Sequence, residues 1–213
     1  MADASGDTRL PTGIDALDRE LQGGLPSGSV VAFTAPPASQ SELLLYELTN
    51  TRSTLYLTAA RTEEAVAYAI ERARCPTGDP KVQFVPGDAP LENARRLFRS
   101  LGEGANLVID PADPLERSEP NRYQNFLNDL QNHMRNTGSL AILHCLRGSD
   151  VPSLRSTTEH MADVVFDLQQ RYDGRDVVTR LAVPKVRGGH SPTETVKLEL
   201  AERVRVDTSR DIA

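Results

Sequence analysis

Residues 35–44 read Ala-Pro-Pro-Ala-Ser-Gln-Ser-Glu-Leu-Leu, between an apolar run (Val30 to Phe33) and a helix-like run (Leu43 to Leu48). Strand, short turn and helix in that order are the setting of a phosphate-binding loop, Gly-x-x-x-x-Gly-Lys-Ser/Thr. In such a loop the glycines let backbone amides approach phosphate, the lysine reaches the outer phosphates and the hydroxyl binds Mg²⁺. In this chain the first glycine is Ala35, the second Gln40, the lysine Ser41 and the hydroxyl residue Glu42, with Ala38 inside the turn. The frame is kept and each chemical position has changed.

The altered turn has a pattern of its own. Ser39-Gln40-Ser41-Glu42 is Ser-x-x-Glu, a capping box, in which Ser39 would accept from the Glu42 amide and Glu42 would reach back to the Ser39 amide. Helix N-terminal amides are what a phosphate binds. A capping box would use them up, and Glu42 would repel a triphosphate.

Elsewhere, Leu107-Val108-Ile109-Asp110 is an apolar strand ending in a carboxylate. Without a phosphate loop to share a metal, Asp110 reads as a strand-end cap rather than a Mg²⁺ ligand. His144 also ends an apolar run and reads as structural. His133, His160 and His190 are scattered, and Cys75 and Cys145 lie far apart without metal spacing, as reduced thiols would. No Gly-x-Ser-x-Gly, His-Glu-x-x-His or Cys-x-x-Cys offers another chemistry. Tyr46, Tyr68, Tyr123 and Tyr172 fall at helical or strand spacing and read as core or rim.

The elements that must carry these residues alternate. Strand-like runs lie at 29–34, 53–58, 81–85, 105–109 and 139–144, with helices at 41–50, 62–74, 90–101 and 120–136 between them. Such alternation predicts an α/β fold with a parallel sheet covered on both faces. A short helix is expected to open at Thr12 or Gly13 and end at Gly23-Gly24. After Met161 the pattern turns to strands at 163–171, 177–186, 194–200 and 203–206 with a turn at 172–175, an antiparallel edge added to the parallel sheet. Residues 1–8 read as a flexible tail and 9–213 as a single domain, since no linker or repeat divides them.

This order of segments, with three motifs, resembles the KaiC/RadA branch of the RecA-like P-loop ATPases over about residues 9–213. The motifs are Thr12-Gly13-Ile14-Asp15-Ala16-Leu17-Asp18 with Gly23-Gly24-Leu25-Pro26-Ser27-Gly28, then Leu107 to Asp110, and Val183-Pro184-Lys185-Val186-Arg187-Gly188-Gly189 followed by Val204 to Arg210. The resemblance implies a RecA-like sheet, a Walker B aspartate at Asp110, and a Lys185-Val186-Arg187 finger that in the family reaches a neighbouring subunit's nucleotide. It also implies one or two water-activating glutamates after the strand 55–58, where this chain has Thr58-Ala59-Ala60-Arg61. Glu63 and Glu64 follow too late and read as stabilisers of the next helix's dipole. Losses at both cradle and base lead to the expectation of a pseudo-ATPase without catalytic residues, cofactor or metal.

Bulk properties narrow the rest. The chain has 213 residues, a net charge of −6, and three lysines (Lys81, Lys185, Lys197) against twenty-one arginines. That balance suits a GC-rich genome, is compatible with a salt-adapted haloarchaeal cytoplasm, and lacks the basic footprint of a DNA binder. Arg95, Arg96 and Arg99 sit at helical spacing and read as a solvated face. No apolar run approaches the ~20 residues of a membrane span, and no secretory signal opens the chain, so a cytoplasmic protein is expected. The expected function is regulation or assembly through protein contacts, with a RecA- or KaiC-like partner in a homo- or hetero-oligomer. The alternative is an ATP-binding ATPase, or a recombinase-paralogue accessory factor in DNA repair, which would take ATP and Mg²⁺.

Overall fold

The computed structural model describes residues 8–174, 176–200 and 204–206. In chain order its elements are β1 (Arg9–Leu10), α1 (Asp15–Glu20), β2 (Leu25–Pro26), β3 (Val30–Ala35), α2 (Glu42–Thr49) and β4 (Thr54–Thr58). There follow α3 (Glu63–Glu71), β5 (Lys81–Phe84), α4 (Pro90–Phe98), β6 (Asn106–Asp110), α5 (Asp113–Glu116), α6 (Pro120–Thr137) and β7 (Leu140–Leu146). The last are α7 (Arg155–Met161), β8 (Val164–Asp173), β9 (Asp176–Val186), β10 (Val196–Leu200) and β11 (Val204–Val206). The tail at 1–7, Arg175 of the expected turn, and the 207–210 part of the late motif lie outside the described residues.

One mixed sheet runs β11-β10-β9-β8-β3-β7-β6-β4-β5. From β8 to β5 neighbouring strands are parallel, and β8, β9, β10 and β11 pair antiparallel. This is the expected parallel core with an antiparallel extension. β9 lies between β8 and β10; its register with β10 runs over residues 179–181, while Lys185 pairs with Val165 of β8.

The central strands are apolar because both faces are covered. Successive side chains point to opposite faces, so Val31, Phe33, Val108 and Ile142 join the residues of α1, α2 and α3 in one core. Val30, Leu107, Ile109, Ala141 and Leu143 join α4 and α6 in the other. The same period fixes where the polar strand ends point. Asp110 follows Val108 and His144 follows Ile142, so both turn toward the face that carries α2.

Local chemistry sets the helix ends. Glu119 accepts from the amides of Asn121 and Arg122 at 3.0 and 2.9 Å, Pro120 opens α6, and Gly138 closes it at φ 61°. α1 begins later than its sequence suggests because Thr12 is tied to Asp18, whose Oδ1 accepts from the Thr12 amide and hydroxyl, each at 2.7 Å. Gly24 lies at φ 115°, and a Cβ there would fall 2.3 Å from the Leu10 carbonyl oxygen, so the small β1–β2 ladder needs glycine. On the far face Glu116 is fully buried and receives the Arg155 guanidinium at 2.8 Å, joining α5 to α7.

Candidate functional site

β3 ends at Ala35, which is fully buried and whose carbonyl accepts from Arg147 at 2.7 Å. The turn then exposes Ala38 and Gln40 while burying Ser39 and Ser41. The capping box does not form. Ser39 Oγ donates back to the Pro36 carbonyl at 2.6 Å, and no side chain caps the start of α2. The turn is already wound helically before Glu42: Ser41 has φ −60° and ψ −29°, Leu43 donates to Gln40 and Leu44 to Ser41. In that winding Ser39 lies too early to reach the first amide, and Glu42 is simply the half-buried first residue of the helix.

Ser41, at the position the resemblance assigns to lysine, does something the spacing of the loop did not suggest. Its hydroxyl meets His144 Nε2 at 3.0 Å, and His144 Nδ1 meets Asp110 Oδ1 at 2.7 Å. All three are buried: Ser41 is 2% exposed, His144 4% and Asp110 5%. The second Asp110 oxygen accepts from Tyr56 Oη at 2.6 Å and from Arg61 Nη2 at 3.0 Å. Three strand ends and the start of α2 therefore converge on one carboxylate.

The fold explains the convergence. β7 lies between β3 and β6, with Phe33 opposite His144 in the β3–β7 register and Thr58 opposite Asp110 in the β4–β6 register. The imidazole so bridges from Asp110 to the turn after β3. Arg61 is aimed by the turn after β4, where Thr58 Oγ1 donates to the Arg61 carbonyl at 2.9 Å and accepts from its amide at 3.2 Å. Ala60, at the expected glutamate position, points no carboxylate into the site and is exposed.

The electrostatics favour an anionic Asp110. Burial pushes its carboxyl up, but the hydrogen bond and charge of His144, the Tyr56 hydroxyl and the Arg61 guanidinium more than offset this and hold it at about 2. A carboxylate accepts, so His144 Nδ1 donates to Asp110 and Nε2 faces the Ser41 hydroxyl. Burial, the Asp110 charge and its hydrogen bond all raise the Tyr56 pKa, keeping it a neutral donor. Burial works against the charge of Arg61, but Tyr46, Asp110 and Tyr56 hold its pKa above the usual guanidinium value. The Tyr46 hydroxyl, buried beside Arg61, makes no hydrogen bond of good geometry among the described residues.

Lys185, on β9, and Arg187, just past its end, lie away from this cluster. Lys185 Nζ donates to the carbonyls of Glu159 and His160 at 2.9 and 2.7 Å, and Arg187 Nη2 to those of His160, Met161 and Ala162 at 2.9, 3.2 and 3.2 Å. Arg187 Nε also meets Asp163 at 3.2 Å, and its side chain stays 50% exposed. Both cations thus sit on the C-terminal carbonyls of α7, where positive charge is favoured. Among the described residues no three or more His, Cys, Asp or Glu side chains gather as a metal site. No described helix is long and apolar enough to cross a membrane.

With this geometry in view, the family is decided by sequence. Residues 9–213 match the model of a family described as a family of unknown function, DUF7125. The chain belongs to that family. No curated protein matches it. Among solved structures, it is similar to a KaiC-like protein of the hyperthermophilic archaeon Pyrococcus horikoshii OT3. The two share 15% identity with a TM-score of 0.75 over 94% of this chain and 99% of that one. At that identity the likeness speaks for the fold, and it supports the expected KaiC/RecA-like α/β architecture.

Ala35, Ala38, Gln40, Ser41 and Glu42, in and after the turn that follows β3, and Asp110, which ends β6, lie at the same end of the sheet. The sequence reading missed Tyr56, Arg61 and His144 as partners of Asp110. The signal for His144 and Asp110 was present, since each is the polar end of an apolar strand with the same parity. Arg61 carried no such signal.

Proposed function

We propose that this chain is a RecA-like protein that neither binds nor hydrolyses nucleotide and that works by contacting other proteins. The observation that carries the first half is the Ser41–His144–Asp110 chain. A magnesium nucleotide needs a cation at the Ser41 position, and there is a hydroxyl already bonded to His144. It needs free carboxylate lone pairs at Asp110, and both oxygens are engaged by His144, Tyr56 and Arg61. These residues therefore do not fit a magnesium nucleotide, and no step is routed through one.

Protein contact is supported by what is kept at the surface. Tyr172 and Val177 lie opposite one another on the β8–β9 hairpin and are 78% and 56% exposed, an apolar pair on an otherwise solvated ribbon. Arg187 is held in place by α7 while half exposed, a cation fixed at the surface. A RecA- or KaiC-like partner in the same cytoplasm is the reading that uses both. The test has two arms. ATP turnover by the purified chain should equal the buffer blank and be unaltered in Asp110→Asn; a Mg²⁺-dependent rate lost in that variant would restore the ATPase alternative. Co-purification from the native host should recover a RecA-like protein, and less of it with Tyr172→Ser/Val177→Ser. Equal recovery with both forms would remove the hairpin from the account.

A further inference from the structure

The same three side chains that leave no room for a nucleotide are arranged as a proton relay. Ser41 Oγ lies 3.0 Å from His144 Nε2, and His144 Nδ1 lies 2.7 Å from Asp110 Oδ1. Each contact is the one a nucleophilic serine requires: a base on its hydroxyl, and a carboxylate that fixes the tautomer and steadies the imidazolium once formed. The outer oxygen of Asp110 is held by Tyr56 and Arg61, so the carboxylate cannot rotate away. Ser41 stands where a strand turns into a helix, and the order Ser, Asp, His along the chain is that of hydrolases whose serine sits on such a turn. The Leu43 and Leu44 amides donate to the Gln40 and Ser41 carbonyls at 3.1 Å each, which winds the turn onto α2 and fixes Ser41 at its start.

We propose that Ser41, His144 and Asp110 form a working charge relay, which makes Ser41 a nucleophile toward small carbonyl and phosphoryl electrophiles, with short-chain carboxylic esters as the substrate class. Size is set by burial. Ser41 is 2% exposed, next to the exposed Gln40, and the Arg61 side chain over Asp110 is 41% exposed. Only a small acyl group can reach Oγ past side chains that must move aside.

In the acylation step Ser41 Oγ bonds to the ester carbonyl carbon, its proton passes to His144 Nε2, and the ester C–O bond breaks. The alcohol leaves with that proton, or an acidic phenol leaves as its anion and the proton goes to solvent. Water then attacks the acyl carbon, gives a proton to Nε2 and releases the carboxylic acid, and Oγ recovers its proton from Nε2. Oxidation states are unchanged throughout. The inference is independent of the nucleotide reading, since neither the reagent nor the product carries a nucleotide.

The full chain supplies its own control. Ser39 lies two residues away, but its hydroxyl donates to the Pro36 carbonyl and meets no base. Incubation with a small dialkyl fluorophosphate, followed by intact mass and peptide mapping, should give one adduct per chain, on Ser41 and not Ser39. The P–F bond breaks, Oγ–P forms, and fluoride and the serine proton leave. Labelling should be about 10²–10⁴-fold slower in His144→Gln and Asp110→Asn, and nitrophenyl acetate should release a burst of nitrophenolate equal to the chain concentration. No adduct on Ser41, equal labelling of Ser39 and Ser41, or an undiminished rate in a folded His144→Gln would each overturn the proposal. If both variants unfold, the wild type decides alone: Ser41 must react at least about tenfold faster in the native chain than in the urea-unfolded chain, and an equal or slower native rate refutes the relay.

Discussion

Asp110 is a buried anion held by three donors, and its contribution to stability depends on all of them. Removing the imidazole in His144→Ala leaves a charge in low dielectric with one bond fewer and empties the space against Phe33, whose ring lies 5.4 Å from it. A loss of about 3 kcal/mol is expected, read as a shift in denaturant midpoint. Ser39→Ala is expected to cost no more than about 1 kcal/mol, because its bond is to a nearby carbonyl and not to a helix amide. The acid limb of stability belongs to the same carboxylate. Its pKa is lowered to about 2 from 3.8, so its stabilisation is full above the unfolded value and disappears as pH falls through the folded one. Wild type should therefore lose about 2 kcal/mol more than Asp110→Asn between pH 5 and pH 2. Parallel curves for the two would show that Asp110 is not held as an anion. The departure of the turn after β3 from the Gly-x-x-x-x-Gly-Lys-Ser/Thr pattern was legible residue by residue, since those types are named by position. What replaced it was not, because the Ser41–His144 bond spans 103 residues and depends on which strand lies between β3 and β6.

At the scale of elements, most segments were readable, and four short ones were not. The strands and helices from β3 to β7, α5 apart, fall within a few residues of the runs of alternating apolar and helical pattern. β1, β2, α5 and α7 have two to seven residues, too few to show a period, and are made by tertiary contacts. α7 is the clearest case. Its sequence Arg-Ser-Thr-Thr-Glu-His-Met has no apolar stripe, and it is held at one end by Arg155 on Glu116 and at the other by Lys185 and Arg187 on its last carbonyls. The double change Lys185→Ala/Arg187→Ala should accordingly destabilise the fold by roughly 1–2 kcal/mol, as loss of C-terminal charge and hydrogen bonds would. A thermal midpoint unchanged within error would assign the pair to contact with a partner alone. Gly24→Ala should cost more than a surface substitution does, about 2 kcal/mol or above, because backbone at φ 115° and the Leu10 carbonyl both resist a Cβ.

For the whole molecule, a net charge of −6 lacks the basic field on which non-specific DNA binding depends. Duplex and single-stranded DNA should bind weakly at physiological salt, and sub-micromolar retention in a gel shift at that salt would favour the recombinase-accessory reading. On the proposed function, side chains of the chain itself fill the bonds a nucleotide would use. A ligand that binds only the folded state raises its stability by RT ln(1 + [L]/Kd), about 2.7 kcal/mol at a hundredfold excess over Kd. The most direct measurement is the thermal midpoint of the chain across a magnesium-ATP series up to millimolar concentration. A flat line is expected; a saturable rise of several degrees with micromolar half-effect would show that the chain binds nucleotide.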